Sequence, residues 1–158
     1  MTRAVVLAVG RPRDTHLRGA VAEYERRVSH YFRFEAIEVR PAGLADDRAE
    51  RARSEEAAAL ERRIPDDLEL VALTRLGVSW STRRLADFMR ELGDLGRPGV
   101  AFAIGGAHGL GESVLARATR RIRLSEMTLP HELARLVLTE QLYRAGTILR
   151  GEPYHKGS

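Results

Sequence analysis

Cysteine is absent from the 158 residues. That excludes disulfides, thiolate metal ligands and a cysteine nucleophile, and it fits a reducing compartment, so a cytoplasmic location is expected. No apolar run reaches the roughly 20 residues that cross a bilayer, so no membrane association is expected. The opening Met1-Thr2-Arg3-Ala4-Val5-Val6 leads straight into strand-like sequence. It lacks the basic region, apolar segment and small-residue cleavage site of a secretory leader. None of the five histidines stands at a metal-binding spacing from Asp, Glu or another His, and no metal is expected. The GxSxG elbow, the phosphate loop with its Gly-Lys-Ser/Thr end and a first-strand GxGxxG are all missing.

What remains is 44% hydrophobic and 30% charged, the mixture of an ordinary globular protein. The length suits one domain with one core. The formal net charge is +4 and the basic side is almost all arginine. Arginine's rigid fork of donors suits phosphate as well as carboxylate, a mild pointer to nucleic acid that genomic composition can also produce.

Strand-like and helix-like runs alternate along the chain. Ala4–Val9 is a doubly buried strand ending at Gly10, and residues 14–31 carry apolar positions at helical spacing. Phe34, Ile37 and Val39 belong to a second strand. Residues 46–64 form a charged, alanine-rich helix packed along a thin stripe. Leu68–Leu73 is a third strand, and Ser81 caps a helix running to about Leu92. Val100–Ile104 is a fourth strand. A short helix over 112–118, a short strand over 121–124 and a long helix His131–Leu149 complete the pattern. This predicts an α/β fold with a mostly parallel sheet covered by helices, as a single domain over 1–158. Ligands of such sheets gather beyond the carboxyl ends of the strands.

Two segments sit at such ends. The fourth strand opens into Gly105-Gly106-Ala107-His108-Gly109-Leu110-Gly111, which is either a flexible strand-to-helix turn or a loop that lets backbone approach a ligand. The segment Leu124-Ser125-Glu126-Met127-Thr128-Leu129-Pro130-His131 is either an ordinary connection or, through Met127 and Leu129, the wall of an apolar adenine slot. The last helix is apolar on more than one side, which suggests a subunit interface as well as a core. Beyond it, Tyr154-His155-Lys156 gathers an aromatic ring, an imidazole and a cation in an otherwise unpatterned tail.

These pieces together resemble the bacterial 23S rRNA pseudouridine N3-methyltransferases, small members of the SPOUT superfamily. The resemblance rests on Val9-Gly10, on Ile104-Gly105-Gly106 with Gly109, and on Leu124-Ser125 with Thr128-Leu129-Pro130-His131. It continues through Leu133, Arg135, Glu140, Gln141, Leu142, Tyr143, Arg144 and Ala145, and closes on Pro153-Tyr154-His155-Lys156. It covers essentially the whole chain, and the order and spacing make it specific.

The resemblance implies a SPOUT-type fold with a deep trefoil knot in the C-terminal part and S-adenosylmethionine as methyl donor. It places the cofactor against Leu73, Gly105, Leu124, Ser125, Glu126, Met127, Thr128 and Leu129. It implies a homodimer acting on 23S rRNA within the assembled ribosome, with residues 150–158 as a functional tail. His155, Tyr154 and Arg144 are the expected catalytic residues, and Lys156 and Arg135 the expected RNA contacts. His131 is expected to be structural. Thr74-Arg75 stands where relatives often carry an acid, and Ala107-His108 replaces a frequent Pro-Glu. A SPOUT enzyme acting on tRNA or another rRNA site, and a non-catalytic ribosome-binding factor, stay open as alternatives. A nicotinamide oxidoreductase is the weakest, lacking its fingerprint.

Overall fold

A computed structural model describes residues 1–43 and 45–156, of His155 the backbone only. The proposed role of the His155 side chain, and residues 157–158 of the tail, lie outside the described residues.

Five strands form one sheet in the order β2-β1-β4-β3-β5, every pair parallel. They are β1 (Arg3–Val9), β2 (Arg33–Val39), β3 (Glu69–Ser79), β4 (Gly99–Ile104) and β5 (Arg120–Arg123). The helices are α1 (Thr15–Val28), α2 (Ala49–Glu61), α3 (Thr82–Asp94), α4 (Glu112–Arg117) and α5 (His131–Leu149). Successive strand residues face opposite sides of a sheet, and β1 and β4 use both. Ala4, Val6, Val100 and Phe102 pack with Val28, Phe88, Leu138 and Leu142 of α1, α3 and α5. Val5, Leu7, Val9 and Ala101 pack with Leu60 and Val114 of α2 and α4. This two-sided burial is why the strands read as unbroken apolar runs.

The caps follow sequence. Asp14 accepts from the backbone N–H of His16 and Leu17 at 2.9 Å to start α1, and Ser81 accepts from Arg84 N–H to start α3. Helix α1 stops at Val28, earlier than its periodicity predicts, and residues 46–48 wind as a 3-10 turn ahead of α2. The tail is more ordered than its lack of periodicity predicts, with a 3-10 turn over Pro153–His155.

The larger departure is β3, which the sequence places at Leu68–Leu73 and which runs on to Ser79. Its second half is not an apolar run because it pairs only at the sheet edge. Ile122 of β5 pairs with Leu73 and again with Val78, so β3 makes an excursion over 74–77 and returns to the same residue. Gly77 lies against the Ile122 backbone. A Cβ there would sit 2.4 Å from the Ile122 carbonyl carbon, so a side chain cannot be accommodated without moving main chain. The strand bearing the C-terminal segment is thereby clasped before the chain turns back as α5, which packs on α1 and α3.

Gly77→Ala is expected to lower stability by about 1–3 kcal/mol through overpacking of the clasp. Urea unfolding monitored by Trp80 fluorescence checks it, and an unchanged midpoint would refute the clasp.

Candidate active site

The loops leaving β3, β4 and β5 enclose a cleft of about 1260 Å³. Its apolar walls come from Leu73, Ile104, Leu110, Leu115, Leu124 and Leu129. The glycine loop forms one side. Gly109 N–H donates to Gly106 O at 3.0 Å, curling the loop back on itself. A Cβ on Gly105 would sit 2.3 Å from the Gly109 carbonyl carbon, so this tight return requires glycine at 105. The loop's main chain thus borders an apolar slot, a combination that suits an adenosine moiety.

Of the residues that the resemblance assigns to the cofactor, Leu73, Gly105, Leu124, Ser125, Met127, Thr128 and Leu129 line this cleft. Ser125 Oγ accepts from Met127 N–H at 2.9 Å, which shapes the turn. Met127 is 80% exposed, so it stands at the rim of the slot and its side chain is not enclosed. Glu126 is not part of the lining and is directed to Arg123, at 3.5 Å. Thr74, Arg75 and His131 also line the cleft, as does Arg53, which donates to His108 O at 3.4 Å. The sequence does not place Arg53 at the cleft, because it lies in a helix whose arginines offer a docking face and whose mixed charges read more strongly as a solvated one.

The tail residues gather elsewhere. Tyr154 Oη donates to Glu140 Oε1 at 3.1 Å and lies 3.4 Å from Tyr24 Oη. Its ring centroid is 4.6 Å from that of Tyr143. Arg144 sits over the Tyr154 ring at 4.8 Å while donating to the same Glu140 carboxylate. Burial, then the contact with Tyr24, pushes the Tyr154 hydroxyl well above the ordinary tyrosine range. The tail is tied down again by a hydrogen bond from Tyr31 Oη to Glu152, and the Arg150 guanidinium lies over the Tyr31 ring. Lys156 is exposed. The cleft lining ends at Ala134, so within one chain no described residue of the tail reaches it.

Arg135 is a correction. Expected to contact RNA, it is 4% exposed and donates to Glu25 at 2.8 Å and Glu38 at 2.7 Å. Position 135 falls on the inner side of α5, facing α1 and β2, and its charge is spent inside the protein. The same face buries Leu138 and Leu142, three and seven residues on, a helical spacing that could have revealed this.

A parallel sheet with its edge strand clasped thus carries a glycine-looped cleft at the strand ends. A family model described as predicted SPOUT methyltransferase matches residues 2–155. Solved structures agree on the fold. A probable methyltransferase from Bordetella pertussis aligns with a TM-score of 0.57 at 19% identity, covering 91% of this chain and 96% of that one. TrmJ from Z. mobilis aligns at 0.52 and 17%, covering 92% and 70%. Ribosomal RNA large subunit methyltransferase H of Gemmatimonas aurantiaca is 47% identical over 98% of this chain and 99% of its own length. The protein of that name from an Anaeromyxobacter species is 46% identical over 98% and 99%. The chain belongs to the SPOUT methyltransferases and, within them, to the family of ribosomal RNA large subunit methyltransferase H.

The SPOUT-type fold, a parallel sheet covered by helices, and the methyltransferase activity follow from that membership. The family's methyl donor is S-adenosylmethionine, and the apolar, glycine-lined cleft fits its adenosine. Among the described residues no group of three His, Cys, Asp or Glu side chains is placed to hold a metal, and no helix is long and apolar enough to cross a membrane.

Two outcomes test the helical side. Arg135→Ala leaves two partly buried carboxylates without their partner and is expected to destabilise by about 3 kcal/mol, read by denaturant unfolding. Burial and the Glu152 hydrogen bond raise Tyr31 to about 12 in the folded chain, against an ordinary value near 10 when unfolded. Because the folded value is the higher, this stabilisation is complete below about pH 10 and is lost as pH rises toward 12. The thermal midpoint of the native chain should therefore fall more steeply across that window than that of Tyr31→Phe.

Proposed function

We propose that this protein transfers a methyl group from S-adenosylmethionine to N3 of a pseudouridine in 23S rRNA, acting in the cytoplasm as a homodimer on the assembled ribosome. The observation that carries the proposal is full-length similarity to relatives named ribosomal RNA large subunit methyltransferase H, 47% and 46% identical, together with the cleft where the resemblance puts the cofactor. The whole chain works as one domain, with residues 150–158 as its functional tail.

Bound S-adenosylmethionine supplies an electrophilic methyl carbon on a sulfonium. Leu73, Gly105, Leu124 and Leu129 enclose the adenosine and exclude water from it, while Ser125 and Thr128 shape the segment beneath. The target nitrogen carries a proton that must leave before it becomes a useful nucleophile. His155 takes that proton, directly or through a water, and Tyr154 packs on or hydrogen-bonds the base. Arg144 stabilises the imide anion that develops, and Lys156 holds backbone phosphate. Holding the acceptor in line with the methyl carbon contributes much of the rate.

Separation of the tail from the cleft within one chain supports the dimer. A site drawing on both sets of residues needs the tail of a second copy beside the cleft of the first. A dimer also enlarges the surface available for reading the shape of a large RNA.

The test is methyl transfer from labelled S-adenosylmethionine to ribosomes from cells lacking this gene, with the modified nucleotide mapped. The native protein should label one large-subunit pseudouridine. His155→Ala should be slower by about a hundredfold with cofactor binding retained. Label on tRNA would move the substrate, and no label on any RNA from a folded dimer would sink the proposal.

A further inference from the structure

Glu56 is a carboxylate buried in the middle of α2, 6% exposed, with no role in the chemistry above. Its Oε2 accepts from Ala42 N–H at 3.1 Å, in the turn that follows β2. Its Oε1 is buried and has no hydrogen-bond partner among the described residues. Both oxygens face the glycine loop: a Cβ on Gly106 would sit 3.2 Å from Oε1, 3.3 Å from Oε2 and 3.0 Å from Val9 Cγ1. One turn earlier on the same helix, Arg53 donates to His108 O of that loop. Helix α2 thus supports the loop at two points, at Gly106 through Glu56 and at His108 through Arg53, which also reaches the cleft.

A buried acceptor left without a donor costs about 1–3 kcal/mol, and more when charged. Such a group favours any rearrangement that brings it a donor, and the glycine loop lies against it at Gly106, with backbone N–H groups to offer. We propose that Glu56 is a positioning residue for cofactor binding: it ties the turn after β2 to the loop after β4, and its free oxygen accepts a backbone N–H of residues 106–108 when that loop closes on the adenosine. The proposal rests on the methyltransferase reading of the cleft. It also accounts for glycine at 106, where any side chain would press on the carboxylate.

Calorimetric titration with S-adenosylmethionine and amide hydrogen exchange on the full chain test it, using the native protein, Glu56→Gln and Gly106→Ala. Glutamine keeps the size but offers a single acceptor oxygen. It should weaken cofactor binding about tenfold, the loss expected for one hydrogen bond to a charged group. Cofactor-induced protection at residues 106–108 should fall with it, while affinity for ribosomes stays unchanged. Gly106→Ala keeps the carboxylate and crowds the loop, and should weaken cofactor binding in the same direction even where Glu56→Gln folds poorly. Lowered thermal stability with native cofactor affinity and native protection in both variants would overturn the proposal and leave the methyltransferase reading intact. No cofactor binding by the native protein would overturn both.

Discussion

The close approach of two backbones at the sheet edge is the constraint on which the rest of the molecule depends. Ile122 is paired on either side of the 74–77 excursion, and Gly77 fills the only space between them because it has no side chain. That contact fixes where β5 ends, and therefore where residues 123–131 begin. It also holds Thr74, Arg75 and Leu76 over the same cleft. Two of the three loops enclosing the cleft are thus positioned by one main-chain contact. The third, the glycine loop, is positioned by its own return at Gly105 and Gly109 and by α2 behind it.

Most of the sheet was legible because it is buried on both faces. An unbroken run such as Ala4–Val9 or Val100–Ile104 has few other uses in a chain of this polarity, and the helices between declare themselves by spacing and by caps such as Asp14 and Ser81. The second half of β3 was not legible. Thr74, Arg75, Leu76, Gly77, Val78 and Ser79 show neither a buried run nor a clean alternation, since only Val78 and Ser79 pair, at the sheet edge, and Leu76 and Val78 remain largely exposed. The knot that the resemblance implies is illegible for a related reason: threading is a property of the path, and no local preference encodes it.

In the site, backbone-defined parts were easier to read than charges. Glycines at a strand end advertise close approach, and the segment 124–129 follows from the resemblance. An arginine carries no mark of whether it faces solvent, a carboxylate or phosphate. Arg135 and Arg144 are nine residues apart on α5, and both end on carboxylates, one deep among Glu25 and Glu38 and the other against Glu140 beside Tyr154. Glu56 was hidden by its setting. In sequence it is one acid in a charged helix, whereas in space it faces inward beside Ala52, Ala57 and Leu60.

The tail illustrates how packing can prepare a group for work that its own chain cannot offer it. Tyr31, Tyr143, Tyr154, Glu140 and Glu152 hold residues 152–154 against α1 and α5. A terminal segment pays heavily in entropy for such order, while the largest buried side chains, such as Phe88, Phe102 and Leu138, lie in the layers around the sheet. The order therefore serves presentation. Since the cleft lining stops at Ala134, the proposed dimer is what would set the ordered tail of one copy beside the cleft of another. In the proposed dimer the edge clasp would fix the cofactor side of the reaction, the aromatic cluster the substrate side, and association of two chains would bring the two together.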